Sequence, residues 1–385
     1  MNHRPAIRKR APTDLPSWLV RAERLLVEAV RTVRLLGSVV PRNAAAERAR
    51  LTAAFEAGNV AMPRWSYART DHGMLRKTLE RAAARLAAES HPVAQLYAAR
   101  TRELEIEAAI ASEAGTGVLG ALARSRFRSQ SAEAAGEATI LARKWINEGR
   151  EPEPEQPTIL SDDPGPGSLL TRMREEVSRL GLPFAVVVQP TLSALAATGE
   201  RHILVAAGRP VTKDDVERTV MHEVEAHAIP RARAAGARFA IFQIGTARGV
   251  DDQEGFALVL EDRHGFLSPR RKRELAARHL AVEAMDGGAT FADAVTALVK
   301  EHGVGVRESV LVAERVFRGG DGTCPGLGRE RIYLEAFLRV KAHLAKNPTD
   351  EGVLTSGQIS LDAIPVLAVY VRKARGTEPP PAVAT

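Results

Sequence analysis

The sequence predicts an α+β fold that is predominantly α, with a small antiparallel sheet beside one functional helix. Three observations carry this. Alanine, arginine and leucine dominate the texture while aromatic residues make up only 4% of the chain, a composition that favours helices. Apolar residues recur at helical spacing through most of the length. Two short runs, Pro183–Val188 and His202–Ala206, read instead as strands, joined by a stretch containing Thr198-Gly199-Glu200.

The elements follow in order. Residues 1–16 read as a disordered basic arm. Helical patterns at about 17–37, 43–57, 73–89, 93–113 and 134–148 make an N-terminal helical region over 17–150. The proline-, acid- and glycine-rich stretch 151–168 is the clearest linker. A second region, 169–376, opens with a helix at about 169–180 and the two strands. Thr212, with Asp215 three positions on, forms a capping box that starts the next helix. Val216, Val220, Met221 and Val224 are its apolar stripe, and Pro230 ends it. Asp251 or Asp252 caps a helix carrying Glu254, Ala257, Leu258 and Leu260. More helices follow at about 270–286, 291–302, 307–317, 330–346 and 361–374, before a disordered tail at 377–385. The glycines at 319–328 lack the Gly-Lys-Ser/Thr ending that phosphate binding needs and read as a mobile loop over a cleft.

Composition excludes several classes. A chain of 385 residues with 45% hydrophobic and 26% charged residues can bury a large core. The net charge of +7 sits partly in Arg8-Lys9-Arg10 and Arg270-Arg271-Lys272-Arg273; such runs read first as solvated faces, so nucleic acid is disfavoured as a partner. A single cysteine, Cys324, excludes an intrachain disulfide framework and fits a reducing cytoplasm. The basic N-terminus runs into Ala11-Pro12-Thr13-Asp14-Leu15-Pro16, so no secretory signal is expected. No uninterrupted apolar stretch of about 18 residues occurs, so no membrane span is expected either.

The chemistry concentrates in His222-Glu223-Val224-Glu225-Ala226-His227 and Asp252-Gln253-Glu254-Gly255-Phe256-Ala257. Two histidines and a later glutamate can supply three zinc ligands and leave the fourth position open for water, the pattern of a catalytic site. Glu223, directly after the first histidine, is placed to take a proton from that water. A spacing of five positions puts the histidines roughly 140° apart on an ideal helix, so both reach one metal only if the helix carries an extra residue, as a π-bulge does. The bland alternative is two surface histidines on a polar helix. Chance gives about 0.03 matches to His-acid-x-x-x-His in such a chain, which favours the metal reading.

These segments resemble a known family. His-Glu-x-x-x-His followed by Gln-Glu-Gly-(Leu or Phe)-Ala is similar to bacterial proteins named after a QEGLA motif and linked to flavohaemoglobin expression, whose eukaryotic relatives are the microtubule-associated tyrosine carboxypeptidases. Met62-Pro63-Arg64-Trp65-Ser66-Tyr67, Arg100–Leu104 through Gly115-Thr116-Gly117, Ala277–Val282, Arg315–Gly320 and Ile332-Tyr333-Leu334 also fall in the family's order, covering about residues 55 to 375. The resemblance implies a zincin-like metallopeptidase core in region 169–376, with one zinc per chain on His222, His227 and Glu254 and Glu223 as general base. It implies a carboxypeptidase, with a peptide or protein C-terminus as substrate. Glu225-Ala226 in place of Gly-Thr, Phe256 in place of Leu and Leu327-Gly328-Arg329-Glu330 in place of Phe-Thr-Lys-Asp depart from the family pattern.

An enzyme acting at a C-terminus needs a cation for the terminal carboxylate; Arg318 and Arg329 are the candidates, with Tyr333 near the scissile bond to stabilise an oxyanion. The alternative to a peptidase is a non-enzymatic regulatory or scaffold protein that keeps the metal for structure. Structural zinc is normally closed by four protein ligands and needs no adjacent base, so Glu223 favours the enzyme.

Overall fold

The computed structural model describes residues 16–148 and 156–375, with side chains to residue 371; the expected arm up to residue 15, the tail and the first part of the linker lie outside these residues. The N-terminal helices are α1 (Ser17–Val33), α2 (Leu35–Ser38), α3 (Ala44–Glu56), α4 (Gly73–Ala87), α5 (Pro92–Ser112), α6 (Leu119–Arg126) and α7 (Ala132–Glu148). There follow β1 (Ile159–Leu160), α8 (Leu169–Arg179), β2 (Ala185–Gln189), β3 (Ala196–Thr198), β4 (His202–Ala206) and β5 (Pro210–Val211). Helix α9 (Lys213–Met221) continues through a π-helical segment, His222–Ala228, into α10 (Ile229–Ala234). The rest is helical: α11 (Ile241–Ile244), α12 (Gly249–Arg263), α13 (Pro269–Asp286), α14 (Phe291–Lys300), α15 (Val306–Phe317), α16 (Ile332–Lys346), α17 (Glu351–Leu354) and α18 (Ile364–Arg375).

The sheet is mixed, which corrects the expected antiparallel pair. Its order is β2-β4-β3: β2 pairs with β4 in parallel, Ala185 opposite His202, and β3 pairs with β4 in antiparallel fashion, Ala196 opposite Val205. After β2 the chain passes over the place β4 will take and runs back as β3. The turn at Gly199–Arg201 then inserts β4 between them. β3 escaped the sequence reading because three residues are too few for an alternation to register. A separate two-stranded ribbon joins β1 to β5.

Two apolar cores meet at the metal-motif helix. The smaller gathers Leu169, Met173 and Val177 of α8, Ile203 and Val205 of β4, and Val216, Val220, Val224 and Ala228. The larger runs from Leu19 to Val371 and takes in Met221 and Ala226 from the same helix. The expected stripe is therefore shared between two cores, and the motif sits on their seam. Most α-helix bounds fall within a few residues of expectation. The short helices α6, α11 and α17 had too few periods to be seen.

Candidate metal centre

Helix α9 opens with the expected capping box: Thr212 Oγ1 accepts from the Asp215 backbone, and Asp215 accepts from the Thr212 backbone. The regular helix lasts only to Met221. From His222 to Ala228 it widens, and Ile229 N–H bonds to Val224 O, five residues back. Pro230 does not end the helix, contrary to expectation; it sits in the first turn of α10, where the chain returns to α geometry. A proline removes one amide donor and crowds the carbonyl four residues before it, and a widened turn tolerates both.

The wide turn turns His227 towards His222. Their rings lie 5.2 Å apart, and each Nε2 faces Glu254 Oε2, at 3.7 Å from His222 and 4.0 Å from His227. One ligand atom from each of the three residues lies within 4.8 Å of the others. Two ligands on a tetrahedral zinc stand about 3.4 Å apart at bond lengths of about 2.1 Å, so closing on an ion requires shifts of a few tenths of an ångström to about 1 Å. The donor set, two imidazoles and a carboxylate, suits zinc.

Each group is held from behind. His222 Nδ1 lies 2.8 Å from Glu261 Oε1, and Arg271 grips that carboxylate with two bonds of 2.8 and 3.0 Å. Arg329 Nη2 donates to Glu254 Oε1 at 3.0 Å, leaving Oε2 to face the histidines. Thr198 Oγ1, at the end of β3, donates to Glu223 Oε2 at 2.8 Å. Glu261, Arg271 and Thr198 were not singled out from the sequence. Glu261 had a signal there: it follows Glu254 by seven residues, two turns along one helix face.

Electrostatics follow from this shell. Burial opposes the charge on His222, but Glu254 and Glu261 outweigh it and raise its pKa to about 9. Burial dominates at His227 and lowers its pKa. Burial alone would raise the Glu254 pKa, yet His222, Arg329 and His227 hold it well below the ordinary carboxylate value. Glu261 is likewise held down against its burial, by Arg271 and His222.

The other residues of the second motif hold the fold around Glu254. Gln253 donates to Gly357 O at 2.9 Å, and Phe256 and Ala257 are core. Gly255 lies against α16, where a Cβ would come 2.5 Å from the carbonyl of Ala336. Contrary to expectation, neither Asp251 nor Asp252 caps α12; Arg248, in a left-handed conformation, precedes it. Asp251 pairs with Arg126 at 2.9 Å, and Asp252 pairs with Arg339 and accepts from Leu361 N–H. Both carboxylates are spent on bringing distant segments to the first turn.

The glycine segment 319–328 is packed, not a free lid. Tyr67 hydroxyl donates to Gly320 O at 2.8 Å and accepts from Gly319 N–H, while Gly115 N–H donates to Gly319 O. Pro63 sits under Gly322, whose φ of +88° suits only glycine well. Gly326 lies directly on the backbone of Phe317. Segments 62–67 and 115–117 thus buttress the loop that delivers Arg329. Arg318 is buried and reaches Glu330 at 3.3 Å, a carboxylate it shares with Arg315. Its burial lowers its pKa to about 10. Arg329 Nη1 donates to the buried Tyr333 hydroxyl at 3.2 Å. Of the residues expected from sequence, His222, His227, Glu254, Arg329 and Tyr333 form one connected cluster, with Glu223 beside it on the π-segment; Arg318 is joined to a neighbouring arginine–glutamate cluster.

This arrangement defines a predominantly helical α+β protein with a candidate metal centre on a π-helical segment. The chain belongs to the microtubule-associated tyrosine carboxypeptidase family, whose family model matches residues 53–381. Comparison with curated proteins finds no match. Among the described residues, no helix is long and apolar enough to cross a membrane.

Proposed function

We propose that the protein is a zinc-dependent metallocarboxypeptidase that hydrolyses the C-terminal residue of a peptide or protein, with His222, His227 and Glu254 holding one zinc and Glu223 as general base. The observation that carries this reading is the convergence within 4.8 Å of three candidate ligand atoms, two from a helix widened between its histidines and one from α12. Family membership supports the choice of a peptide terminus as substrate. Zinc held there would act as a Lewis acid and lower the pKa of a bound water towards about 7.

The protein's own groups supply the rest. Thr198 occupies Oε2 of Glu223, which leaves Oε1 to take a proton and pass it to the leaving amine. Glu261 fixes the His222 ring, and Arg329 fixes the Glu254 carboxylate. Tyr333 accepts from Arg329, so its own proton is free to be donated to an oxyanion. β3 is an edge strand that ends beside Glu223, and its outer backbone groups can pair with an extended peptide. Arg318 and Arg329 each already carry an acidic partner, so the terminal carboxylate falls to a different cation.

Incubating the zinc-loaded protein with a C-terminally diverse peptide library, read by mass spectrometry, tests the reading. Loss of single C-terminal residues, abolished by a chelator and restored by zinc, is the expected result. Cleavage within peptides or from their N-termini would overturn the carboxypeptidase assignment.

A further inference from the structure

We propose that Arg231 is the receptor for the substrate's terminal carboxylate, an inference that rests on the carboxypeptidase reading. Arg231 follows His227 by four residues, so it lies one turn further on the same helix face, about 6 Å along the axis. That offset leaves room for the last residue of a chain between the metal cluster and the guanidinium. Arg231 carries its charge close to Glu223, Glu254 and Glu200, and close to His227.

Arg231 differs from every other cation at this site in having no partner. Among the described residues its guanidinium makes no hydrogen bond or ion pair, and its Nε is buried and unsatisfied. Glu200, the acid nearest in the β3–β4 turn, pairs with Arg31 instead, at 3.7 Å. Arg329 is committed to Glu254 and Tyr333, Arg318 and Arg315 to Glu330, and Arg271 to Glu261 and Glu274. Arg231 is half-buried with its Nε withdrawn from water, and a buried donor left unbonded is costly, so an anion that bonds the guanidinium directly offsets that cost. The planar guanidinium fork can bond both oxygens of a carboxylate, and the proximity to Glu223 and Glu254 places that anion beside the reacting centre.

The test is a binding measurement that needs no turnover. Zinc-loaded Glu223→Gln protein is titrated calorimetrically with acetyl-Gly-Gly-Tyr as the free acid and as the C-terminal amide. The acid should bind about 10- to 100-fold more tightly. Adding Arg231→Gln should abolish that preference with zinc content unchanged; Arg231→Lys should keep part of it; Arg318→Gln should leave it intact. In otherwise native enzyme, Arg231→Gln should raise KM for the acid more than it lowers kcat. Equal binding of acid and amide overturns the proposal, as does an acid preference that survives Arg231→Gln. Should Arg231→Gln lose zinc through misfolding, Arg231→Lys decides, because an undiminished preference there removes any role for the arginine fork. Failure of the carboxypeptidase reading looks different: neither peptide is hydrolysed by the zinc-loaded native chain, whatever the binding preference.

Discussion

Glu261 Oε1 stands 2.8 Å from His222 Nδ1, and Glu261 belongs to the same helix as Glu254, seven residues on. One face of α12 therefore supplies both a candidate ligand and the carboxylate that orients another. A histidine whose second nitrogen donates to a carboxylate has a fixed tautomer and a more basic ligating nitrogen. Glu261→Gln should weaken zinc binding by about 10- to 100-fold, and should also lower stability because buried Arg271 keeps only Glu274 as a charged partner. Competition against a chromophoric chelator measures this, and an unchanged dissociation constant would remove Glu261 from the centre.

Arg329 gives a second prediction, on stability. Its Nη2 holds Glu254 Oε1, and both side chains are buried or nearly so. Arg329→Met leaves a desolvated carboxylate without its cation, a loss on the order of 3–5 kcal/mol for a buried pair. A bound zinc would restore a positive partner on the other oxygen. The variant should therefore be strongly destabilised without metal and much less so with it. Thermal unfolding with and without zinc separates the cases; an equal penalty in both would show that the metal does not meet Glu254.

The sequence made the candidate cluster of His222, His227 and Glu254 legible because type, order and spacing all pointed one way, and a shared site for two histidines five positions apart required the widened turn between His222 and Ala228. Its supporting shell was mostly not legible. Thr198 lies on a three-residue strand, and Arg271 sits in a basic run whose plain reading is a solvated face. The left-handed Arg248 and the pairing of Asp252 with Arg339 depend on residues far apart in sequence, so a local capping rule misassigned both aspartates. The glycines at 319–328 looked mobile because glycine allows freedom; here it serves close approach, as at Gly326 against Phe317. Pairing direction in the sheet was set by the crossing over β4, which no strand pattern encodes.

Gly255 supplies a third prediction. A methyl group at this position would meet the backbone of Ala336 at 2.5 Å, and backbone cannot move aside as a side chain can. Gly255→Ala should destabilise the fold by about 1–3 kcal/mol through overpacking where α12 crosses α16. The neighbouring Glu254 would shift with the helix, so zinc affinity should fall as well. Denaturant unfolding reads the first effect and chelator competition the second. A variant as stable as the native chain would mean that the two helices are not packed this closely.

The fourth prediction separates the proposed base from the residue that aims it. Glu223 is buried beside the cluster, and Thr198 Oγ1 holds its Oε2 at 2.8 Å. Glu223→Gln keeps the size and hydrogen bonding of the side chain but cannot accept a proton, so hydrolysis should fall by about 10²–10⁴-fold with zinc content unchanged. A rate above about a tenth of native would show that another group takes the proton. Thr198→Val removes only the hydroxyl that restrains the carboxylate. Its kcat should fall by roughly tenfold, within the free energy of one hydrogen bond to a charged group, and KM should hardly move. Thr198→Ser should recover most of that loss, since it returns the donor, whereas a purely structural role for the β-branched side chain predicts no recovery. Because both effects act on Glu223, the double variant Thr198→Val with Glu223→Gln should be about as slow as Glu223→Gln alone. Fully additive losses would mean that Thr198 acts independently of the base.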